Sequence, residues 1–223
     1  MRVRLLVLFI FLSGCPVWAQ QIQWNLEAKV GIPITSGIAP VNPPRPGVTT
    51  TTISGNPRIL GGPGLSLLVD DRLSVDVDVL FRPIRYTTRR EQPCCSGIEA
   101  VRGTSLEIPI FVSYHAGHSR LRPYAGAGLI PFEKQWGRID SFNTFHDRGE
   151  LQTHVVFPYP GISGISSPPA FLLCAGADYP KGRLLVRPEL RYTNWRGQLL
   201  RRSQRDILVS IGVPAFRSGN RKP

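Results

Sequence analysis

The feature that most constrains this chain is a strict alternation of apolar and polar residues. Between Gln23 and Ile32 every even-numbered residue is apolar, whereas Gln23, Asn25, Glu27 and Lys29 are polar. Successive side chains of a β-strand point to opposite faces. The pattern therefore predicts a strand with one face in an apolar medium and the other in a polar one.

Later segments repeat this pattern, with Phe111 as one exception on a polar face and a glycine-rich fifth strand whose facing is ambiguous. Strands of about 9–11 residues suit a tilted crossing of a bilayer. The predicted strands after the first are Gly61–Val69, Leu73–Tyr86, Ser105–Tyr114, Arg122–Phe132, Phe171–Tyr179, Arg183–Tyr192 and Asp206–Val213.

The connections between these strands are alternately short and long. The short ones are Asp70–Arg72, a turn around Gly117–Ser119, and Pro180–Gly182. The long ones are Ile34–Leu60, Thr87–Thr104, Glu133–Ala170 and Thr193–Arg205. Bacterial outer-membrane barrels have short periplasmic turns and longer extracellular loops. The pattern predicts an all-β chain: an eight-stranded antiparallel up-and-down transmembrane β-barrel with that sidedness.

The N-terminus predicts export. A basic start, Met1–Arg4, precedes the apolar run Leu5–Leu12 and a small-residue cleavage site at Val17–Ala19, as in a secretory signal peptide. Leu12–Cys15 also resembles a lipoprotein lipobox, in which case Cys15 would be acylated. The predicted organisation is a signal peptide at 1–19, an outer-membrane barrel at 20–216 and a basic tail at 217–223, in the outer membrane of a Gram-negative bacterium.

The formal charge of +12 does not indicate a nucleic-acid partner, because the chain is exported and the charges are scattered over loops and strand ends. Anionic outer-membrane lipids, including lipopolysaccharide, are the expected partners, and a merely solvated basic surface is the alternative. Without Cys15, three cysteines remain: Cys94, Cys95 and Cys174. Neither a C-x-x-C motif nor metal-ligand spacing occurs, so we expect no cofactor and no metal.

The polar face of these strands carries charge. An eight-stranded barrel has room inside only for side chains, so these charges should pair as a buried network. The predicted inward set is Glu27, Lys29, Asp76, Asp78, Arg82, Glu107, Asp178, Arg187, Glu189 and Arg191. Aromatic residues near strand ends should form interfacial girdles. Those residues are Trp24, Phe81, Tyr86, Tyr114, Tyr124, Tyr179, Tyr192 and Trp195.

Three segments resemble the bacterial outer-membrane β-barrel family of the small OmpA/OmpX type. Arg122–Gly128 resembles its Pro-Tyr-x-Gly-x-Gly strand, Leu173–Tyr179 its glycine-rich strand, and Pro188–Tyr192 its Glu-x-Arg-Tyr strand. The resemblance implies a barrel inserted by the barrel assembly machinery and acting as a monomer. The family often ends on an aromatic residue, whereas Phe216 here is followed by seven more residues.

We expect a non-enzymatic protein with a structural or surface-interaction role. The alternatives are a narrow pore, a soluble lipocalin-like carrier and a lipid A-modifying hydrolase. The hydrolase would need a Ser, a His and an acid at the outer rim. His146-Asp147 with Ser141 is the candidate cluster, while His115 and His118 lie at the predicted periplasmic end. No catalytic residue is predicted.

Overall fold

A computed structural model describes eight stretches of the chain, and the predicted signal peptide and tail lie outside them except for Arg217. The stretches are 22–35, 49–55, 59–69, 72–117, 121–145, 151–158, 163–195 and 203–217. Every regular element in them is a β-strand. In chain order they are β1 Ile22–Pro33, β2 Thr49–Gly55, β3 Leu60–Val69, β4 Leu73–Asp78, β5 Leu80–Glu91, β6 Cys95–His115, β7 Arg122–Phe145, β8 Leu151–Pro158, β9 Ser163–Lys181, β10 Leu184–Asn194 and β11 Gln204–Arg217.

The strands close into an eight-stranded antiparallel barrel, as the sequence predicts. Around the wall, β1 pairs with β3, then β4 and β5 together, then β6, β7, β9, β10 and β11, which returns to β1. A break at Val79 divides β4 from β5, and its backbone N–H still donates to Pro63 O at 2.9 Å. No helix in the described part of the chain is long and apolar enough to cross a membrane.

The apolar side chains of the strands face the outside of the barrel. Along β11, Ile207 and Ile211 are 52% and 51% exposed, whereas Leu208 and Ser210 between them are buried. Apolar residues also cover the outer faces of β1, β6 and β9. A lipocalin-like carrier would line its interior with this apolar set. The observed orientation therefore excludes that alternative and requires an apolar solvent around the wall.

At the predicted outer end, the structure replaces irregular loops with longer strands. The prediction of an irregular loop over Thr87–Thr104 is wrong. β5 and β6 remain paired through this segment as far as Glu91 and Ser96, and a two-residue turn at Pro93 and Cys94 joins them. Within Glu133–Ala170, the end of β7, all of β8 and the start of β9 are also strand, and β2 lies within Ile34–Leu60. Beyond the bilayer the outer face of a strand meets water and need not be apolar, so the sequence alternation that predicts a strand is weakened there.

The predicted fifth strand lies in β7, which carries a bulge near the end of that prediction. On its β6 edge, Ile108 pairs with Phe132 and Ile110 with Leu129, so two residues of β7 oppose one of β6. The extra residue reverses the facing. Tyr124 is consequently inside before the bulge, at an even position, and Glu133 is inside after it, at an odd one.

Candidate functional site

The interior of the barrel is a network of ion pairs. All ten side chains of the predicted inward set are buried, and Glu133, Asp206 and His115 join them. The charged groups separate into a lower network near the short connections and an upper network nearer the long hairpins.

Arg187 is the centre of the lower network. Its guanidinium contacts one carboxylate from each of three other strands. These are Glu27 Oε1 at 3.0 Å, Asp76 Oδ1 at 3.0 Å and Asp178 Oδ1 at 2.8 Å. One cation thus ties β10 to the adjacent strand β9 and to β1 and β4, which lie elsewhere around the wall.

Lys29 and Arg191 form the rest of the lower network around Asp78. Lys29 Nζ lies 2.9 Å from Asp78 Oδ1, and Arg191 donates to Asp78 Oδ2 at 2.9 Å. Lys29 also lies 3.4 Å from Glu27, and Arg191 Nε donates to Glu189 at 2.7 Å. Both cations are therefore shared between two carboxylates.

Two aromatic rings pack among these charges. Phe111, the apparent exception in the sequence, lies under Lys29 and Arg191 at 5.3 and 4.9 Å from its ring centroid. Arg187 lies 5.1 Å from the ring centroid of Tyr124, and the Tyr124 hydroxyl donates to Glu189 at 2.8 Å. Assigning Tyr124 to an interfacial girdle is thus wrong. The ambiguous facing of its strand hid this position.

Glycines make the room for these rings. A Cβ at Gly128 would lie 2.3 Å from Phe111 Cβ, and one at Gly176 would lie 2.6 Å from the Tyr124 hydroxyl. Both glycines belong to the segments that resemble the family motifs. Their role here is to let large interior side chains approach the backbone of the wall.

The upper network is built on Arg82. Its guanidinium contacts Glu107 at 3.0 Å through Nε and Asp206 at 2.9 Å through the second terminal nitrogen. Gln204 also donates to Asp206, at 3.2 Å. An apolar layer of Leu60, Leu80 and Leu208 contributes to filling the interior.

Carboxylates outnumber permanent cations in this interior. The buried charged residues comprise eight acids and four bases among the residues described. The acids are Glu27, Asp76, Asp78, Glu107, Glu133, Asp178, Glu189 and Asp206, and the bases are Lys29, Arg82, Arg187 and Arg191. Each cation therefore serves two or three acids, which makes the cations the limiting component of the network.

A second apolar cluster includes a residue that was also expected in a girdle. Trp195 is only 3% exposed and packs with Ile130, Ala170 and Leu172 inside the barrel. It follows the last residue of β10, where the sequence gives no alternation to reveal the direction of its side chain. Trp24, Phe81, Tyr114 and Tyr179 do face outward.

The structure brings together a serine, a histidine and an aspartate that no local sequence pattern connects. His115 Nε2 lies 2.9 Å from Ser74 Oγ, and Nδ1 lies 2.9 Å from Asp178 Oδ2. Ser74 also donates to Asp76 at 2.7 Å. Ser74 is completely buried and His115 nearly so, so no substrate carbonyl can reach the hydroxyl. The order of groups resembles a hydrolase triad, but the geometry is that of a sealed structural network.

Of the candidate cluster at the outer rim, Ser141 is the member that lies within the described residues. Ser141 is buried and accepts a hydrogen bond from Asn143 at 3.3 Å. His154, which is not part of that cluster, stacks on Phe142 with ring centroids 4.2 Å apart. His118, His146 and Asp147 lie outside the described residues.

The three remaining cysteines lie in two different environments. Cys174 is buried on the inner face of β9, with its sulfur 3.9 Å from Ser113 Oγ. Cys94 and Cys95 lie at the tip of the β5–β6 hairpin with their sulfur atoms 2.8 Å apart. The pair is accessible from outside the barrel and Cys174 is not.

Comparisons with known proteins identify structural neighbours only. Neisserial surface protein A (NspA) is similar at 12% identity and a TM-score of 0.42, over 85% of this chain and 96% of that one. Ail of Yersinia pestis gives 9% and 0.32, over 88% and 97%. The outer membrane protease OmpT of Escherichia coli gives 5% and 0.32, over 87% and 95%. No protein-family model and no curated protein sequence matches the chain. At these TM-scores none of the neighbours assigns a function.

The side chains themselves define the class of protein. A closed barrel pairs the backbone groups of its wall internally, and an apolar outer surface around a charged, filled interior is stable only in a lipid bilayer, so the chain is an outer-membrane β-barrel protein. Eight strands leave room inside the barrel only for side chains, as the filled interior shows.

Proposed function

We propose that this protein is a non-enzymatic scaffold that displays β-hairpins at the cell surface. The observation that carries the proposal is the contrast between the two parts of the wall strands. Within the bilayer the wall strands enclose an interior that is filled with side chains and bridged by ion pairs. Beyond the bilayer the same strands continue as pairs. From Gly103 to its first residue, Cys95, β6 projects for nine residues, or about 30 Å along the strand.

The filled interior supports a role outside the barrel rather than through it. Guanidinium groups bridge strands across the lumen in both networks, and apolar clusters pack beside them. A pore would need these pairs to separate. A hydrolase would need a reactive group that substrate can reach, and the Ser74–His115–Asp178 contact is buried.

The pairing register suggests a truncation that separates a supporting role from a surface one. Tyr86 pairs with Val101, so residues 87–100 can be replaced by a two-residue Asn-Gly turn that leaves the wall intact. Cells lacking the protein are complemented with the full chain or the truncated one, and sensitivity to detergent is measured together with cell-surface adhesion. We expect the truncated barrel to restore envelope integrity without restoring adhesion. Full adhesion with the truncated chain would contradict the surface role.

The hydrolase alternative has a direct test. Purified protein is incubated with lipid A and the release of acyl chains is measured, with His146→Ala as the comparison variant. We expect no release from either protein. Release from the wild-type protein that the variant loses would overturn the non-enzymatic proposal.

A further inference from the structure

Three arginines lie side by side on the outer surface of the wall. Arg85 of β5 pairs with Arg102 of β6, which pairs in turn with Arg138 of β7. All three side chains are exposed. We call these residues the arginine row. Gly55 of β2 flanks one end of the row and Pro158 of β8 the other.

The described residues neutralise little of the charge of the row. Like charges directly opposite on neighbouring strands repel each other and destabilise a sheet. Among the described residues, Asp140 is the one carboxylate in ion-pair contact with the row, 3.7 Å from Arg138 Nε, and that arginine side chain is 59% exposed. An external anion would remove the repulsion.

The height of the row on the barrel identifies the source of that anion. From Tyr114 to Thr104, β6 runs ten residues along its apolar outer face. Ten residues rise about 33 Å, and a strand tilt of 35–45° reduces this to about 25 Å, the height of the apolar band of such barrels. Trp136 pairs with Thr104 and faces outward at this upper boundary. The arginine row is the next outward position, about 5 Å higher, at the level of lipid headgroups.

The surface beside the row is shaped to receive a headgroup. Arg102, Thr104, Trp136 and Arg138 line a shallow open cleft together with the paired Gly103 and Gly137. Guanidinium groups bind phosphate oxygens in a bidentate manner, and an indole ring packs well at the boundary between apolar and polar layers.

We propose that the arginine row binds the phosphate groups of lipopolysaccharide in the outer leaflet. The proposal rests on the proposed function, because it requires the hairpin end of the barrel to face the outside. Phosphates held by Arg85, Arg102 and Arg138 would bridge three adjacent strands at the base of the projecting hairpins.

The test measures lipopolysaccharide binding to the purified, folded full-length protein in mixed detergent micelles. The wild-type protein should bind intact lipopolysaccharide at least about tenfold more tightly than it binds dephosphorylated lipopolysaccharide. The variant Arg85→Gln/Arg102→Gln/Arg138→Gln should lose this preference. Arg89→Gln is the matched control, an exposed arginine of the same hairpin outside the row, and should retain it. Without lipopolysaccharide, the triple variant should be at least as heat-stable as the wild type, since a repulsion has been removed.

Three results would overturn the proposal. They are unchanged binding by the triple variant, an equal loss in Arg89→Gln, and complete displacement of the lipid by millimolar inorganic phosphate, which would indicate a site for any small anion. Labelling of the hairpin tip on intact cells separates this failure from failure of the proposed function. If the tip is outside and the triple variant binds normally, only the arginine-row proposal fails.

Discussion

Replacing Arg187 should destabilise the barrel more than replacing any exposed arginine. Arg187→Met keeps most of the length of the side chain and removes its charge, and so leaves three buried carboxylates without their common partner. The matched control is Arg89→Met. Arg89 is 62% exposed and forms one ion pair, with Glu91 at 2.9 Å.

The expected magnitudes follow from burial. Removing one partner of a buried ion pair costs about 3–5 kcal/mol, because the remaining charge stays buried. Arg187 has three such partners, so we expect a loss of unfolding free energy at the upper end of that range. An exposed pair contributes about 0–1 kcal/mol, which sets the limit for Arg89→Met. Glu189→Gln should cost less than Arg187→Met, since cations are scarcer than acids in this interior and the amide oxygen can still accept from Tyr124.

The assay is urea unfolding in detergent micelles, followed by tryptophan fluorescence and by the mobility difference between folded and heated protein on a gel. A second variant separates charge from packing. Adding Asp76→Asn to Arg187→Met removes one stranded carboxylate and should recover part of the loss. Equal stability of Arg187→Met and Arg89→Met would refute the network argument. Absence of recovery in the double variant would show that Arg187 acts by packing alone.

Two further predictions concern the way the interior is filled. Gly128→Ala places a Cβ 2.2 Å from Ile110 O and should lower the free energy of unfolding by about 1–3 kcal/mol through overpacking. In the control variant Gly212→Ala the new Cβ meets nothing closer than 3.2 Å. Equal stability of the two variants in urea unfolding would contradict this explanation. Wild-type protein in planar lipid bilayers should show no stable conductance, because ion pairs span the lumen at Arg82 and Arg187. Reproducible open channels from heat-modifiable protein would favour the narrow pore instead.

The sequence predicts the wall well and the contacts poorly. The facing of Ile207–Val213 and the burial of Arg187 and Arg191 follow from period two alone, because an odd or even position fixes the side of the sheet. That Arg187 meets Asp76, 111 residues away, depends on barrel closure and register, which no local pattern contains. The Ser74–His115–Asp178 contact was missed for the same reason.

Other errors arose where the alternation itself fails. Tyr124 lies near the start of a glycine-rich strand that gives no clear facing, so its assignment to the outer face is wrong, and the bulge in β7 then reverses the facing of the residues that follow. Above the bilayer the outer face of the paired strands between Thr87 and Thr104 meets water, so proline, glycine and charge occur there and suggest a loop. Period two detects a strand only where the two faces lie in different solvents.

The orientation of the barrel is the claim on which the proposed surface role depends, and the cysteines offer a way to measure it. A Cys95→Ser variant retains Cys94 at the hairpin tip, while Cys174 is buried inside the wall. Its counterpart is Cys94→Ser/Cys95→Ser/Arg183→Cys, which carries its exposed thiol at the opposite end, in the turn between β9 and β10.

Both variants are treated on intact cells with a maleimide that cannot cross the outer membrane, and again after the membrane is permeabilised. If the hairpin end faces outward, we expect Cys94 to be labelled on intact cells and the cysteine at position 183 to be labelled only after permeabilisation. The reverse pattern, with position 183 labelled from outside and Cys94 protected, would contradict it.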